Sequence, residues 1–167
     1  MQSRAPIIMT ALMGAADQAW ADGLRRAHYP PDRNQVGAHI TLFHQLPCLA
    51  EAEAMARAAQ LAAEFAAPDA QLSELMSLGG GVAFRVHAPR LLVIRAQFAD
   101  AMHGLLTTQD QGTPRLHITV QNKVEPKVAR ALLAELSAGF QPRPLVIAGL
   151  ALHRYLGGPW QPLGTWR

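Results

Sequence analysis

His39-Ile40-Thr41-Leu42 and His117-Ile118-Thr119-Val120 are the two stretches on which the reading of this chain turns. Side chains alternate between the two faces of a β-strand. His39 and Thr41 therefore share one face, as do His117 and Thr119, while Ile40, Leu42, Ile118 and Val120 point the other way, toward an apolar core. A lone histidine in a strand is usually an ordinary core or surface residue. Two histidines with the same apolar-Thr-apolar continuation ask for a common explanation.

Working outward from the first motif, Pro6–Met13 is an apolar, β-branched run that predicts a strand. Ala15–His28 has helical spacing, with Trp20, Leu24 and Ala27 on one face and Arg25 and Arg26 on the other. The Tyr29-Pro30-Pro31 sequence stops it, and 32–37 is a loop. Ala38–Phe43 is the strand of the first motif, ended by Pro47. Leu49–Ala67 is an alanine-rich helix closed by Pro68. Gln71–Leu78 and Val82–His87 are strands joined at Gly79-Gly80-Gly81 as a hairpin. Arg90–Thr107 begins as a possible short strand and continues as a helix through Phe98, Met102 and Leu105. Leu116–Gln121 is the strand of the second motif. Pro126 opens a helix to Ala138 with Gly139 as its cap, Leu145–Tyr155 is a strand, and a last strand runs from Trp160 to Trp166 after Gly157-Gly158-Pro159.

The two histidines lie 78 residues apart. Sliding the chain by that distance superimposes the helix at 15–28 on the one near 94–106. It also brings 49–67 onto 126–138, and the strand at 71–78 near 145–155. The expectation is a single domain, 1–167, with an internal repeat of about 5–78 and 83–155, each half bringing one motif to a shared cleft.

A chain of 167 residues suits one domain. Half of it is hydrophobic and 16% charged, an ordinary globular balance. The formal charge of +3 comes from thirteen arginines and two lysines against twelve acids. That excess fits a phosphorylated ligand and is too small for wrapping along duplex DNA. One cysteine, Cys48, excludes an internal disulfide and a Cys-based zinc motif, and fits a reducing compartment. Arg4 with the apolar run Ala5–Ala16 resembles a leader, but Pro6 and Thr10 interrupt it and Asp17 follows, so a first strand is the expected reading. No apolar run approaches the ~20 residues of a membrane-spanning helix. A cytoplasmic, monomeric protein without membrane attachment is expected.

The motif residues suit displacement at phosphorus in a 2′,3′-cyclic phosphate. That reaction needs a base for the incoming water and an acid for the departing ribose oxygen, on opposite sides of the phosphorus. With an unperturbed pKa near 6.5, one imidazole can be neutral while its partner is protonated. The threonine hydroxyls can donate to the non-bridging oxygens. Neither a metal nor another cofactor is required: zinc wants three or four convergent ligands, and no carboxylate recurs near either motif.

The paired tetrapeptides, their separation and the duplicated order of elements resemble the 2H phosphoesterase superfamily, in particular its bacterial 2′,5′-RNA ligase-like, cyclic phosphodiesterase branch. The stretches His39–Pro47 and Arg154–Trp160 look like this branch, and the resemblance covers nearly the whole chain. It implies a bilobal α+β fold of two pseudo-symmetric lobes, each with an antiparallel sheet and helices, around a central cleft. It implies opening of 2′,3′-cyclic phosphates of RNA ends or nucleotides to 2′-phosphates. His117 would act as base, His39 as acid, and Thr41 and Thr119 would hold the phosphate. One departure is Asn122, where some ligase-like members carry an arginine five residues after the second histidine.

Four further residues are candidate substrate contacts. Arg115 is offset by two from His117 and shares its face, as a phosphate ligand or a solvated charge. Arg154 and Tyr155 could reach phosphate or stack on a base, or serve the surface or core. His44 reads first as a hydrogen-bonded structural residue and second as a contact. Two rival functions use the same residues: 2′,5′-RNA ligation, and a cleft that binds a nucleotide or RNA end without turnover.

Overall fold

A computed structural model describes residues 4–167, so the expected domain of 1–167 begins three residues outside it. The elements are β1 (Ile7–Met13), α1 (Ala15–His28), β2 (Ile40–Leu46), α2 (Glu51–Glu64), β3 (Asp69–Ser77), β4 (Val82–His87), α3 (Pro89–Ala101), α4 (Thr108–Gln111), β5 (His117–Gln121), α5 (Pro126–Ala138), β6 (Arg143–Tyr155) and β7 (Trp160–Trp166). Helices and antiparallel strands make this a mixed α+β fold.

Every strand pairing is antiparallel, in the order β1-β2-β5-β4-β3-β6-β7, with β1 also paired to β6. The hydrogen bonds thus join into one network where two separate sheets were expected. Two features connect it. The long β6 pairs with β3 through Arg143–Val146 and with β1 through Ile147–Arg154, and β2 meets β5 at one residue pair, Ile40 with Ile118. Exchanging β1, β2, β3 with β4, β5, β6 leaves the pairings among these six strands unchanged: β1–β2 becomes β4–β5, and β3–β4 becomes β6–β1; only the β6–β7 pairing has no counterpart.

The stretch after Arg4 carries β1, whose Ile7, Met9, Ala11 and Met13 are buried between β2 and β6. The Gly79-Gly80-Gly81 hairpin is present, with Leu78 N–H donating to the Gly81 carbonyl at 2.9 Å. Gly149, at φ +155°, is required by close approach, because a Cβ there would fall on the Trp166 carbonyl and push β7 off β6. No described helix is long and apolar enough to cross a membrane.

Three local expectations need correction. The segment 90–107 is helical from its start, since Pro89 sits in the first turn of α3 and Leu91, Ile94 and Phe98 form a buried stripe. Leu105 lies beyond that helix and is exposed. In α1 the buried positions are Asp17, Ala21 and Arg25, while Ala27 is exposed. The apolar pattern misplaced Arg25, because its guanidinium finds partners inside the protein. In β2 the register with β1 slips between Met9↔Phe43 and Thr10↔Thr41. That bulge buries both Leu42 and Phe43 and ends the simple alternation.

Aromatic contacts join the layers. Trp20 of α1 meets Phe84 of β4 edge-on at 5.0 Å, Phe84 meets Phe140 at 5.6 Å, and Phe43 of β2 meets Phe98 of α3 at 5.1 Å. Polar groups also fasten α1: Asp17 accepts from Val146 N–H at 2.8 Å and from Arg143 at 3.1 Å. Because Phe98 is fully buried against Phe43, Phe98→Ala is expected to lower stability by about 3–5 kcal/mol. The measurement is the urea midpoint at unchanged slope; a loss under about 1 kcal/mol would show that this contact is peripheral.

Candidate active site

The single β2–β5 pair centres the site. Ile40 and Ile118 are both fully buried and face each other as Cα partners. An antiparallel pair centred there sets His39 across from Thr119, and Thr41 across from His117. The four polar side chains then lie on the face opposite the two isoleucines, and all four are partly exposed. In a regular antiparallel pair, diagonal neighbours such as His39 and His117 stand about 7–8 Å apart. The flanking Leu42 and Val120 are fully buried, as alternation requires.

The two imidazoles are held identically. His39 Nδ1 bonds to the carbonyl of Gly37 at 2.8 Å, and His117 Nδ1 to the carbonyl of Arg115 at 2.7 Å. A carbonyl only accepts, so Nδ1 carries the proton in both rings and the lone pair is on Nε2. Each histidine thereby gets its tautomer from a backbone group two residues earlier.

Around His39 the structure adds residues that the sequence did not single out as site candidates. The Trp160 ring at the start of β7 lies 4.5 Å from the His39 ring and 5.2 Å from that of His153. His153 of β6 also bonds through Nε2 to the Thr10 hydroxyl at 3.2 Å. Arg25 reaches Thr119 O at 3.0 Å. Burial pushes the His39 pKa down to about 4, reinforced by the charge of Arg25 and by His153 and His117, against the opposing bond to Gly37. Burial likewise lowers His153. His39 is therefore neutral at pH 7 in the free protein. Neither Arg25 nor His153 stands in a repeated context, and Trp160, at the end of the family-like stretch Arg154–Trp160, has no motif that assigns it a partner, so only the folded chain brings them together.

The four remaining candidates sort differently. His44 is 3.4 Å from the buried Asp110, whose carboxylate also accepts from His44 N–H at 2.9 Å and Gln45 N–H at 2.8 Å. This is the structural role read first for it. Arg154 clasps Glu51 through Nε and NH2 of its guanidinium, at 2.6–3.0 Å, and reaches Gln161 through NH1. Tyr155 is exposed. Arg115 is exposed just before β5 and contributes its carbonyl to His117. Asn122 closes a turn, its Oδ1 accepting from Lys123 N–H at 2.9 Å, where Lys123 has φ 65°.

Beside Gly37 lies a polar hollow of about 290 Å³ lined by Asp22, Arg25, Arg26, Asn34, Gln35 and Val36. A second hollow, of about 70 Å³ between α2, α3 and β6, is apolar and holds no acid–base group apart from Arg167 at its rim. Among the described residues, no three His, Cys, Asp or Glu side chains are grouped to hold a metal ion.

The lowered His39 pKa has a consequence for stability. As pH falls below 6.5 the unfolded chain takes up a proton at residue 39 that the folded protein refuses until about pH 4, so the native state loses ground through that window. Above pH 6.5 the residue is neutral in both states and contributes nothing. His39→Gln is therefore expected to lose less stability than the parent between pH 6.5 and 4, by urea midpoints at each pH. Asp110, whose pKa lies below the usual carboxylate value because hydrogen bonds from His44 and Gln45 outweigh its burial, adds an acid-side loss common to both proteins. Parallel curves for the two would contradict the desolvated His39.

No curated protein matches the chain. Among solved structures, E. coli LigT complexed with 3′-AMP matches with TM-score 0.60 at 17% identity, over 98% of each chain. A structure described as a phosphoesterase matches with TM-score 0.61 at 16% identity, again over 98% of each. E. coli LigT complexed with NADP+ gives 0.57 at 15% over the same coverage. At these identities the likeness is one of fold. The profile of the 2′-5′ RNA ligase superfamily matches residues 14–159, a span that holds both motifs. The chain belongs to the 2′-5′ RNA ligase superfamily, the 2H phosphoesterases, whose members act on phosphodiester bonds.

Proposed function

We propose that the protein is a metal-independent cyclic phosphodiesterase that opens 2′,3′-cyclic phosphates of RNA ends or nucleotides to 2′-phosphates. The observation that carries the reading is the matched pair of imidazoles, each with Nδ1 on a backbone carbonyl two residues back, set diagonally about one buried isoleucine pair. Family membership supports the reaction class, and the exchangeable pairing map supports an internal repeat with a cleft between two related halves. A cytoplasmic monomer taking RNA ends or small nucleotides, without a cofactor, completes the proposal.

In this mechanism Nε2 of His117 accepts a proton from water as its oxygen attacks phosphorus. The P–O3′ bond breaks, and Nε2 of His39 gives its proton to the departing O3′, leaving a 2′-phosphate. Thr41 and Thr119 donate to the non-bridging oxygens, where a well-placed donor is worth about 2.7–4 kcal/mol of barrier. His39 is neutral in the free protein, so the substrate supplies what the acid lacks. A phosphodiester anion beside the ring offsets the repulsion from Arg25 and favours the imidazolium. Binding of substrate and uptake of the proton are then one coupled step.

His39→Ala and His117→Ala are each expected to lower kcat by about 10²–10⁴-fold, with the fold intact by circular dichroism. The profile of kcat/KM against pH is expected to be bell-shaped, and a chelator to leave the rate unchanged. The roles separate on an aryl phosphodiester, whose phenolate leaves without protonation. His39→Ala should recover most of its loss there and His117→Ala should not. Full activity of either alanine variant on a cyclic phosphate would end the proposal. Joining of RNA halves through a 2′,5′ bond, in the absence of cyclic-phosphate hydrolysis, would move the assignment to the ligase reading that the family name also carries.

A further inference from the structure

Two arginines are buried among the described residues, Arg25 at 3% exposure and Arg95 at 6%. They occupy corresponding helices, α1 and α3, the first helix after β1 and after β4 respectively. Arg25 NH1 donates to Thr119 O in β5 at 3.0 Å, while its Nε donates to Asn34 Oδ1 at 3.0 Å, in the loop that leads to His39. Arg95 Nε donates to Leu42 O in β2 at 2.8 Å, while its NH2 donates to Asp110 O at 2.7 Å, in the helical turn ahead of His117. Each guanidinium is also stacked on an aromatic ring, Arg25 over Tyr29 and Arg95 over Phe43, both at 4.3 Å.

We propose that Arg25 and Arg95 are reciprocal positioning residues, each tying the run-in to one histidine motif to the strand of the other, and so fixing the distance between the two imidazoles. The need for such ties follows from the strands. β2 and β5 share one residue pair, and beyond it the Thr119 and Leu42 carbonyls take guanidinium protons. A planar, permanently charged fork can satisfy two acceptors at once at a set separation, which a lysine cannot do. The run-in to His39 is further clamped by α1: Asp22 Oδ1 accepts from Ala38 N–H at 2.7 Å, and Gln18 Nε2 donates to Ala38 O at 2.8 Å. The carboxylate of Asp110 does the corresponding work on β2, holding the N–H groups of His44 and Gln45. The groups that face His39 are Arg25 from α1, His117 from β5, His153 from β6 and the Trp160 ring from β7.

This inference rests on the proposed phosphodiesterase reading for its activity readout, and it has a second readout that does not. Arg25→Met is expected to lower kcat for a 2′,3′-cyclic nucleotide by about 10–100-fold with KM within about twofold, because the side chain positions the site without holding substrate. The same variant should raise the His39 midpoint, followed by NMR in the free protein, because a nearby cation is gone. Arg25→Lys restores the charge and one donor, and should return the midpoint but only part of kcat. Arg95→Met, which removes the ties to Leu42 and Asp110, is expected to lower kcat in the same way. Asn34→Ala, which cuts the tie to the loop while leaving the guanidinium on Thr119, should give an intermediate kcat loss that keeps the test decisive if Arg95→Met does not fold. Arg130→Met, on the exposed face of α5, controls for net charge. A raised KM at unchanged kcat would make Arg25 a substrate contact and overturn the proposal, as would unchanged kcat and His39 midpoint in Arg25→Met. If the parent protein turns over no cyclic phosphate, the functional reading fails, and the NMR arm alone decides the tie between Arg25 and His39.

Discussion

One cross-strand contact carries the arrangement of this protein: Ile40 against Ile118, both without solvent exposure, where β2 and β5 touch. Everything polar in the site is referred to that pair. Alternation sends the histidines and threonines to the far face, and the antiparallel sense places each histidine diagonally from the other. Were the strands paired over their whole lengths, the ladder itself would fix their spacing. With a single pair, the spacing falls to side chains from the helices.

This division of labour explains why so much polar chemistry is buried. Asp17, Arg25, Arg95 and Asp110 are charged and nearly inaccessible, yet each binds backbone groups that no strand reaches. An unpaired buried amide or carbonyl costs on the order of 1–3 kcal/mol, so a charged side chain that satisfies two of them at once offsets part of its own desolvation. The price of that economy is a site whose geometry depends on a few guanidinium and carboxylate contacts and has little ladder beneath it.

Burial also sets the electrostatics. Burial, reinforced by the charge of Arg25 and by His153 and His117, holds the His39 pKa at about 4, so its imidazole is neutral in the free protein. In the proposed mechanism, a ring that gains its proton with its ligand discriminates for negative charge at the reacting position. Arg154 and His44 are held by Glu51 and Asp110, and their place in the fold is to tie α2 to β6 and α4 to β2.

The sequence by itself determined the strands of both motifs, the facing of His39, Thr41, His117 and Thr119, most helices, and the family resemblance. All of these follow from local periodicity, which a strand or helix cannot escape. It misjudged the face of Arg25, the start of α3 and the alternation past Thr41. A buried guanidinium looks like a solvated one, the residues after Pro89 support either period, and a bulge leaves no mark on composition. Only tertiary structure decided that β2 and β5 meet at one pair and that β6 serves both halves. It alone set Trp160 and His153 beside His39 and aimed two distant arginines at the opposite motif. Those are contacts between residues far apart in the chain, fixed by packing and by the demand of buried carbonyls for donors, and no window of sequence contains both partners.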